Sequence, residues 1–95
     1  ENTLAQHELG NVYFFGNEDI PKDLTEAFKW YLKSADNGYS KAQLKVGTMY
    51  YSGYGVSQNH EQSLNYYDKA AAQDNHVAMK NMGVLYMRKG IYKLS

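Results

Sequence analysis

Apolar and polar positions along this chain follow a helical beat. Ala5, Leu9, Val12 and Tyr13 fall at i, i+4, i+7 and i+8, one face of a helix with its period of about 3.6 residues. Ala27, Tyr31 and Ala35, and later Ser63, Tyr67 and Ala71, set stripes at i+4 spacing of the kind a helix turns toward a core. No segment alternates strictly between apolar and polar, so the pattern predicts no strand. It predicts helices over about 4–15, 23–37, 41–52, 60–74 and 77–89. Start signals precede four of them. Thr3-x-x-Gln6, Asp23-x-x-Glu26, Ser40-x-x-Gln43 and Asn59-x-x-Gln62 all have the form of a capping box. Gly16, Gly53, Asn37-Gly38 and Asp74-Asn75 are stop signals, and Pro21 suits the loop before the second helix.

The same pattern is written more than once. Ala5-x-x-x-Leu9-Gly10-x-x-Tyr13-x-x-Gly16 returns as Ala42-x-x-x-Val46-Gly47-x-x-Tyr50-x-x-Gly53 and starts again as Ala78-x-x-x-Met82-Gly83-x-x-Tyr86. Ala27-Phe28-Lys29-Trp30-Tyr31-x-Lys33-Ser34-Ala35 is answered by Ser63-Leu64-Asn65-Tyr66-Tyr67-x-Lys69-Ala70-Ala71. The offset is 36 residues, or 37 where the first loop carries one residue more. A fixed period in this range is the mark of a repeat array. The expected fold is all-α, a right-handed α–α superhelix (a solenoid) of helix–turn–helix repeats with about five helices. Its expected units are 1–38, 39–75 and 76–95, the last being the first helix of an incomplete third repeat. A mid-helix glycine costs about 1 kcal/mol against alanine. Gly10, Gly47 and Gly83 recur at one place in the frame, which points to a close approach by a neighbouring helix. Small residues at Ala27, Ala35, Ala70 and Ala71 point the same way. Val84, Leu85, Tyr86 and Met87 make the last helix apolar, so an end of the array is expected to expose apolar surface and to favour self-association or stacking on further repeats.

Composition narrows the function classes. Ten basic and ten acidic side chains give a net charge of zero, which argues against nucleic acid as the partner. There is no cysteine, hence no disulfide framework, thiolate metal site or cysteine nucleophile. No apolar run approaches the roughly 20 residues that span a bilayer, and no signal peptide is evident. Membrane insertion is therefore not expected. The chain opens at Glu1 rather than methionine. That fits a processed N-terminus, as in a secreted or periplasmic protein, or a piece excised from a longer one. Aromatics make up 15% of the chain, and ten of them are tyrosines, mostly inside the repeated frame. They read first as core residues with a hydroxyl to place.

The frame Ala-x-x-x-Leu-Gly-x-x-Tyr-x-x-Gly, a glycine-containing turn, and Ala-x-x-Trp-Tyr-x-Lys-Ala-Ala together resemble the Sel-one-like (Sel1-like) repeat family, which is related to the tetratricopeptide repeats. In unit one the resemblance rests on Ala5, Leu9, Gly10, Tyr13, Gly16, Ala27, Trp30, Tyr31, Lys33 and Ala35. In unit two it rests on Ala42, Gly47, Tyr50, Gly53, Gly55, Val56, Tyr66, Tyr67, Lys69, Ala70 and Ala71. Unit one departs at Gly16-Asn17-Glu18-Asp19-Ile20, which lacks the second glycine, and unit three fits only through Tyr86. The resemblance implies a non-catalytic adaptor or scaffold that binds proteins, of a kind found in bacterial signalling and host-interaction proteins and in eukaryotic membrane-protein quality control. Some cysteine-rich bacterial relatives are associated with β-lactam binding or hydrolysis. With no cysteine and no Ser-x-x-Lys here, that activity is not carried over.

Other constellations have plainer explanations. Gly53-x-Gly55 has Gln58 where a phosphate loop would place a third glycine, and no strand precedes it. His7-Glu8 and His60-Glu61 could open a zinc-protease motif, but Asn11 and Leu64 stand where the second histidine is needed, and His76 is distant. No metal site, cofactor or catalytic residue is expected. Lys33 and Lys69 could meet an acidic ligand, or simply lay their stems over apolar surface.

What is left is a groove. In tetratricopeptide-like arrays the first helix of each unit lines the concave face. Placed on the Leu-Gly-x-x-Tyr frame, its outward positions are His7, Asn11 and Phe14 in unit one, Leu44, Thr48 and Tyr51 in unit two, and Lys80, Val84 and Met87 in unit three. This mostly apolar stripe with aromatic and methionine anchors suits a peptide or partner helix. The alternative is a structural spacer or self-association segment of a longer array.

Overall fold

The computed structural model describes residues 2–73 together with 76, 79–81 and 83. They form four complete helices: α1 (Thr3–Phe15), α2 (Leu24–Asp36), α3 (Ser40–Ser52) and α4 (His60–Ala71). Residues 76, 79–81 and 83 are also helical and fall inside the fifth segment that the periodicity predicts. No strand occurs among the described residues.

At two of the four predicted capping boxes the N-cap half of the motif forms. Asp23 accepts from the Glu26 amide at 3.1 Å, and Asn59 from the Gln62 amide at 3.1 Å. The other two do not form. Asn2 caps α1 instead, accepting from Ala5 N, and Tyr39 starts α3 with no side-chain cap. Gln6 and Gln43 are buried and spent elsewhere: Asn37 Nδ2 donates to Gln6 Oε1, while Gln43 Nε2 donates to the Ala35 carbonyl. At their C-termini α1 meets Gly16 and α3 meets Gly53, both at positive φ. Asn37 closes α2, and α4 ends at Ala71, earlier than the sequence suggests. Asp74 and Asn75 lie outside the described residues.

Within each unit the two helices form an antiparallel pair anchored by matching hydrogen bonds. Asp23 N donates to Tyr13 O and Asn59 N to Tyr50 O, each at 2.8 Å. The pairs are close because the recurring glycines leave room. A Cβ on Gly10 would stand 2.5 Å from the Tyr31 ring, and one on Gly47 would stand 2.6 Å from the Tyr67 ring. Around Gly83 no described residue comes within 4 Å of such a Cβ. Alanine at position 47 should therefore destabilise by about 1–2 kcal/mol, overpacking outweighing the gain in helix propensity. The same change at Gly83 should be neutral or stabilise by up to about 1 kcal/mol. Urea midpoints compare the two, and equal effects would mean that the ring contact does not set the cost.

The units join through α2 packing on α3. Ala27, Tyr31, Ala35, Ala42, Val46 and Met49 are at most 1% exposed and form the core of this seam. Phe28 meets Tyr50 edge-on at 5.2 Å, and Tyr50 stacks on Tyr66 at 6.0 Å. Tyr66 in turn donates to Asp36 across the seam at 3.0 Å. The contrast with unit one is sharp. Ala5 and Leu9, at the positions of Ala42 and Val46, are exposed, Leu9 by 40%. Ala42 and Val46 are covered by α2 of the preceding unit, and nothing among the described residues plays that part for α1.

Candidate functional site

His7 does not line an open surface: it is 8% exposed and wedged between the rings of Tyr31 and Tyr39, at 5.4 and 5.2 Å. Asn11, Phe14, Leu44, Thr48 and Tyr51 are all half-buried, and Lys80 is exposed. Val84 and Met87 lie outside the described residues.

The half-buried group is held from beneath. Tyr31 OH donates to Asn11 Oδ1. Thr48 occupies the equivalent place in unit two, and its Oγ1 lies 3.0 Å from Tyr67 OH. The single Thr48 proton goes to the Leu44 carbonyl at 3.0 Å, so Tyr67 is the donor here, as Tyr31 is to Asn11. Burial pushes Tyr31 up to about 12, which keeps its proton on the hydroxyl at neutral pH. Phe14 packs against Tyr31, Leu44 against Tyr67, and Tyr51 stacks on His60 at 5.0 Å.

Three further residues reach this face without having been singled out by the pattern. Lys45 spans from α3 to α1, with its Nζ 4.9 Å from the centre of the Phe14 ring and 5.7 Å from that of Phe15. Phe15 is 67% exposed and stands edge-on to Phe14. Lys41, one turn before Lys45 on α3, is exposed. Lys33 and Lys69 are occupied differently, each lying 4.5 Å from a ring centre, over Trp30 and Tyr66 respectively. That shields the rings and stabilises by about 0.5–1 kcal/mol at an exposed site.

His7 carries a pH signature. Burial lowers its pKa from 6.5, and Lys45 and Lys41 lower it further against a smaller opposing pull from Glu8. Its Nδ1 has no hydrogen-bond partner among the described residues. A group that is harder to protonate when folded takes up fewer protons than the unfolded chain does as pH falls. Its contribution is therefore full above pH 6.5 and is lost on acidification below that value. Urea unfolding at pH 7.5 and 5 should show the wild type weakening more than His7→Phe. Equal losses would place the acid sensitivity elsewhere.

Paired helices stacked through one seam, with a side-chain row shared by the first helix of each pair, define a helical-repeat solenoid of the right-handed α–α type. The chain belongs to the Sel1 repeat family, whose profile matches residues 3–39 and 40–75. It is 32% identical over 88 residues to the ERAD-associated E3 ubiquitin-protein ligase component HRD3B of Arabidopsis thaliana, covering 92% of this chain and 13% of that protein. It is 37% identical over 82 residues to the chitin synthase regulator SKT5 of Saccharomyces cerevisiae, covering 85% of this chain and 12% of that one. Among solved structures, c5321, a protective antigen of uropathogenic Escherichia coli with the same repeat fold, superposes with a TM-score of 0.87 at 41% identity, covering 93% of this chain and 19% of the other. The chain thus spans about an eighth of the length of the two curated relatives.

Proposed function

We propose that this chain is a non-catalytic protein-interaction scaffold, and that a peptide or protein partner lies along the concave face formed by the first helices of its units. The observation that carries the reading is the row Asn11, Phe14, Leu44, Thr48 and Tyr51, half-exposed yet held by tyrosine hydroxyls and rings beneath. Such a surface is formed before the partner arrives, so little ordering free energy is lost on association. Lys80, helical and exposed, stands at the position of the repeat frame that His7 and Leu44 occupy in the first two units. The relatives named as a ligase component and a synthase regulator fit a part that acts through other proteins.

Alanine at Asn11 would deprive Tyr31 of its acceptor, so loss of binding and loss of stability would be mixed. A photo-crosslinking side chain avoids this. Placed at Lys41 on α3 it should label a partner in a lysate of the source organism, and placed at Lys29 on α2 it should not; both positions are exposed. Labelling from position 29 alone, or equally from both, would count against the groove.

A second reading has its own observation. Leu4 and Leu9 on α1 are 50% and 40% exposed, at one end of the stack. This face would suit end-to-end association or service as a spacer, and sedimentation showing concentration-dependent dimers that Leu9→Lys abolishes would support it.

A further inference from the structure

The chain is neutral, but its charge is divided unevenly between the two helix layers. Among the described residues the first helices of the units carry Lys41, Lys45 and Lys80 against one acid, Glu8. The second helices carry Glu26, Lys29, Lys33 and Asp36 in α2, and Glu61, Asp68 and Lys69 in α4, so that layer is balanced or slightly acidic. The loop before α2 adds Glu18, Asp19 and Asp23 against Lys22. Uncompensated positive charge therefore gathers on the layer that forms the groove.

Among the described residues none of these three lysines forms an ion pair. The ion pair among the described residues is Lys29 with Glu26, on α2 at 3.7 Å. Lys45 rests instead over the Phe14 and Phe15 rings, which places its ammonium beside an aromatic edge, and no carboxylate among the described residues pairs with it. The field of Lys45 and Lys41 is felt at His7, whose protonation both oppose. A cationic rim next to exposed apolar rings is complementary to a chain that alternates carboxylates with bulky apolar side chains.

From the groove reading above, we infer the chemistry of the occupant: an acidic peptide segment whose carboxylates pair with Lys41 and Lys45 while an aromatic or aliphatic side chain lies against Phe14 and Phe15. Exposed ion pairs are individually weak and salt-screened, so the acid requirement governs selectivity, and the apolar contact with Phe15 supplies the common part of the affinity.

The test is fluorescence anisotropy with two labelled synthetic peptides of equal length, one alternating glutamate and phenylalanine, the other glutamine and phenylalanine. The acidic peptide should bind about tenfold more tightly at low ionic strength, a gap that narrows as salt is added. The double variant Lys41→Gln/Lys45→Gln should weaken it about fivefold, while Lys22→Gln/Lys29→Gln, with the same loss of charge, should leave it unchanged. Circular dichroism checks that both variants fold. Equal binding of the two peptides, with Phe15→Ala weakening both, would overturn the acidic preference and leave the groove standing. Equal weakening by the two double variants would overturn the inference in favour of unspecific attraction. If neither peptide binds, the inference falls, and crosslinking from position 41 then decides separately whether the groove survives.

Discussion

Alanine in place of Gly55 should lower the unfolding free energy by about 3 kcal/mol, the sum of a left-handed backbone penalty and an overpacking cost. Gly55 has φ +71°, and a Cβ there would run into the Leu24 carbonyl, 2.5 Å from its carbon and 3.0 Å from Thr25 N. These are backbone atoms at the start of α2, fixed by the Asp23 cap, so neither side can yield cheaply. Relief requires the loop of unit two to lift off unit one, which opens the seam between them. Gly53→Ala is the internal control. Its φ is +77°, but the nearest atom to a new Cβ is Gln58 Cβ at 3.4 Å, so only the backbone penalty of about 1–2 kcal/mol applies. Urea denaturation followed at 222 nm compares them, and equal losses would mean that the loop does not bear on α2.

Met49→Ala should cost about 2–5 kcal/mol, the usual range for emptying a fully buried site. Met49 has no exposed surface and lies in the core that joins the units. Its counterpart in unit one, Val12, is only half-buried on the uncovered side of α1, and Val12→Ala should cost below about 1 kcal/mol. If the two variants lose equal stability, α1 is covered in solution, and repeating the titration at a tenfold lower concentration will show whether a second molecule covers it.

Much of the fold was legible because helical spacing, caps and the repeat frame agree. Asp23 and Asn59 cap as expected because each has its third residue's amide free to bind. Gln6 and Gln43 misled for a physical reason: a glutamine three residues into a helix fits a capping box, yet both are turned inward to bond partners on α2 and its C-cap. The frame placed Asn11 and Thr48 at equivalent positions but gave no sign of the tyrosine hydroxyls beneath them, which come from 20 and 19 residues away. His7 read as an outward residue because periodicity fixes a direction but not what stands there, and Tyr39 closes over it. Lys45 and Phe15 have no signature in the repeat frame, because comparison of the units exposes only what recurs. Their counterparts are Glu8 and Ser52, so the ammonium lying over the aromatic pair belongs to this seam alone. The missing second glycine of unit one also becomes intelligible. The unit-two loop needs Gly55 to sit against α2, whereas the unit-one loop closes on itself, with Asn17 Oδ1 accepting from the amides of Asp19 and Ile20.

The packing order α1 on α2, α2 on α3 and α3 on α4 also bears on kinetics. Each helix finds its main partner next in sequence, so the chain never has to close a long loop before its contacts begin to form. Folding of such a topology is expected within roughly microseconds to milliseconds. It can start at either pair and spread by one helix at a time, so a ribosome can release this array piecemeal, each finished pair serving as the template on which the next settles.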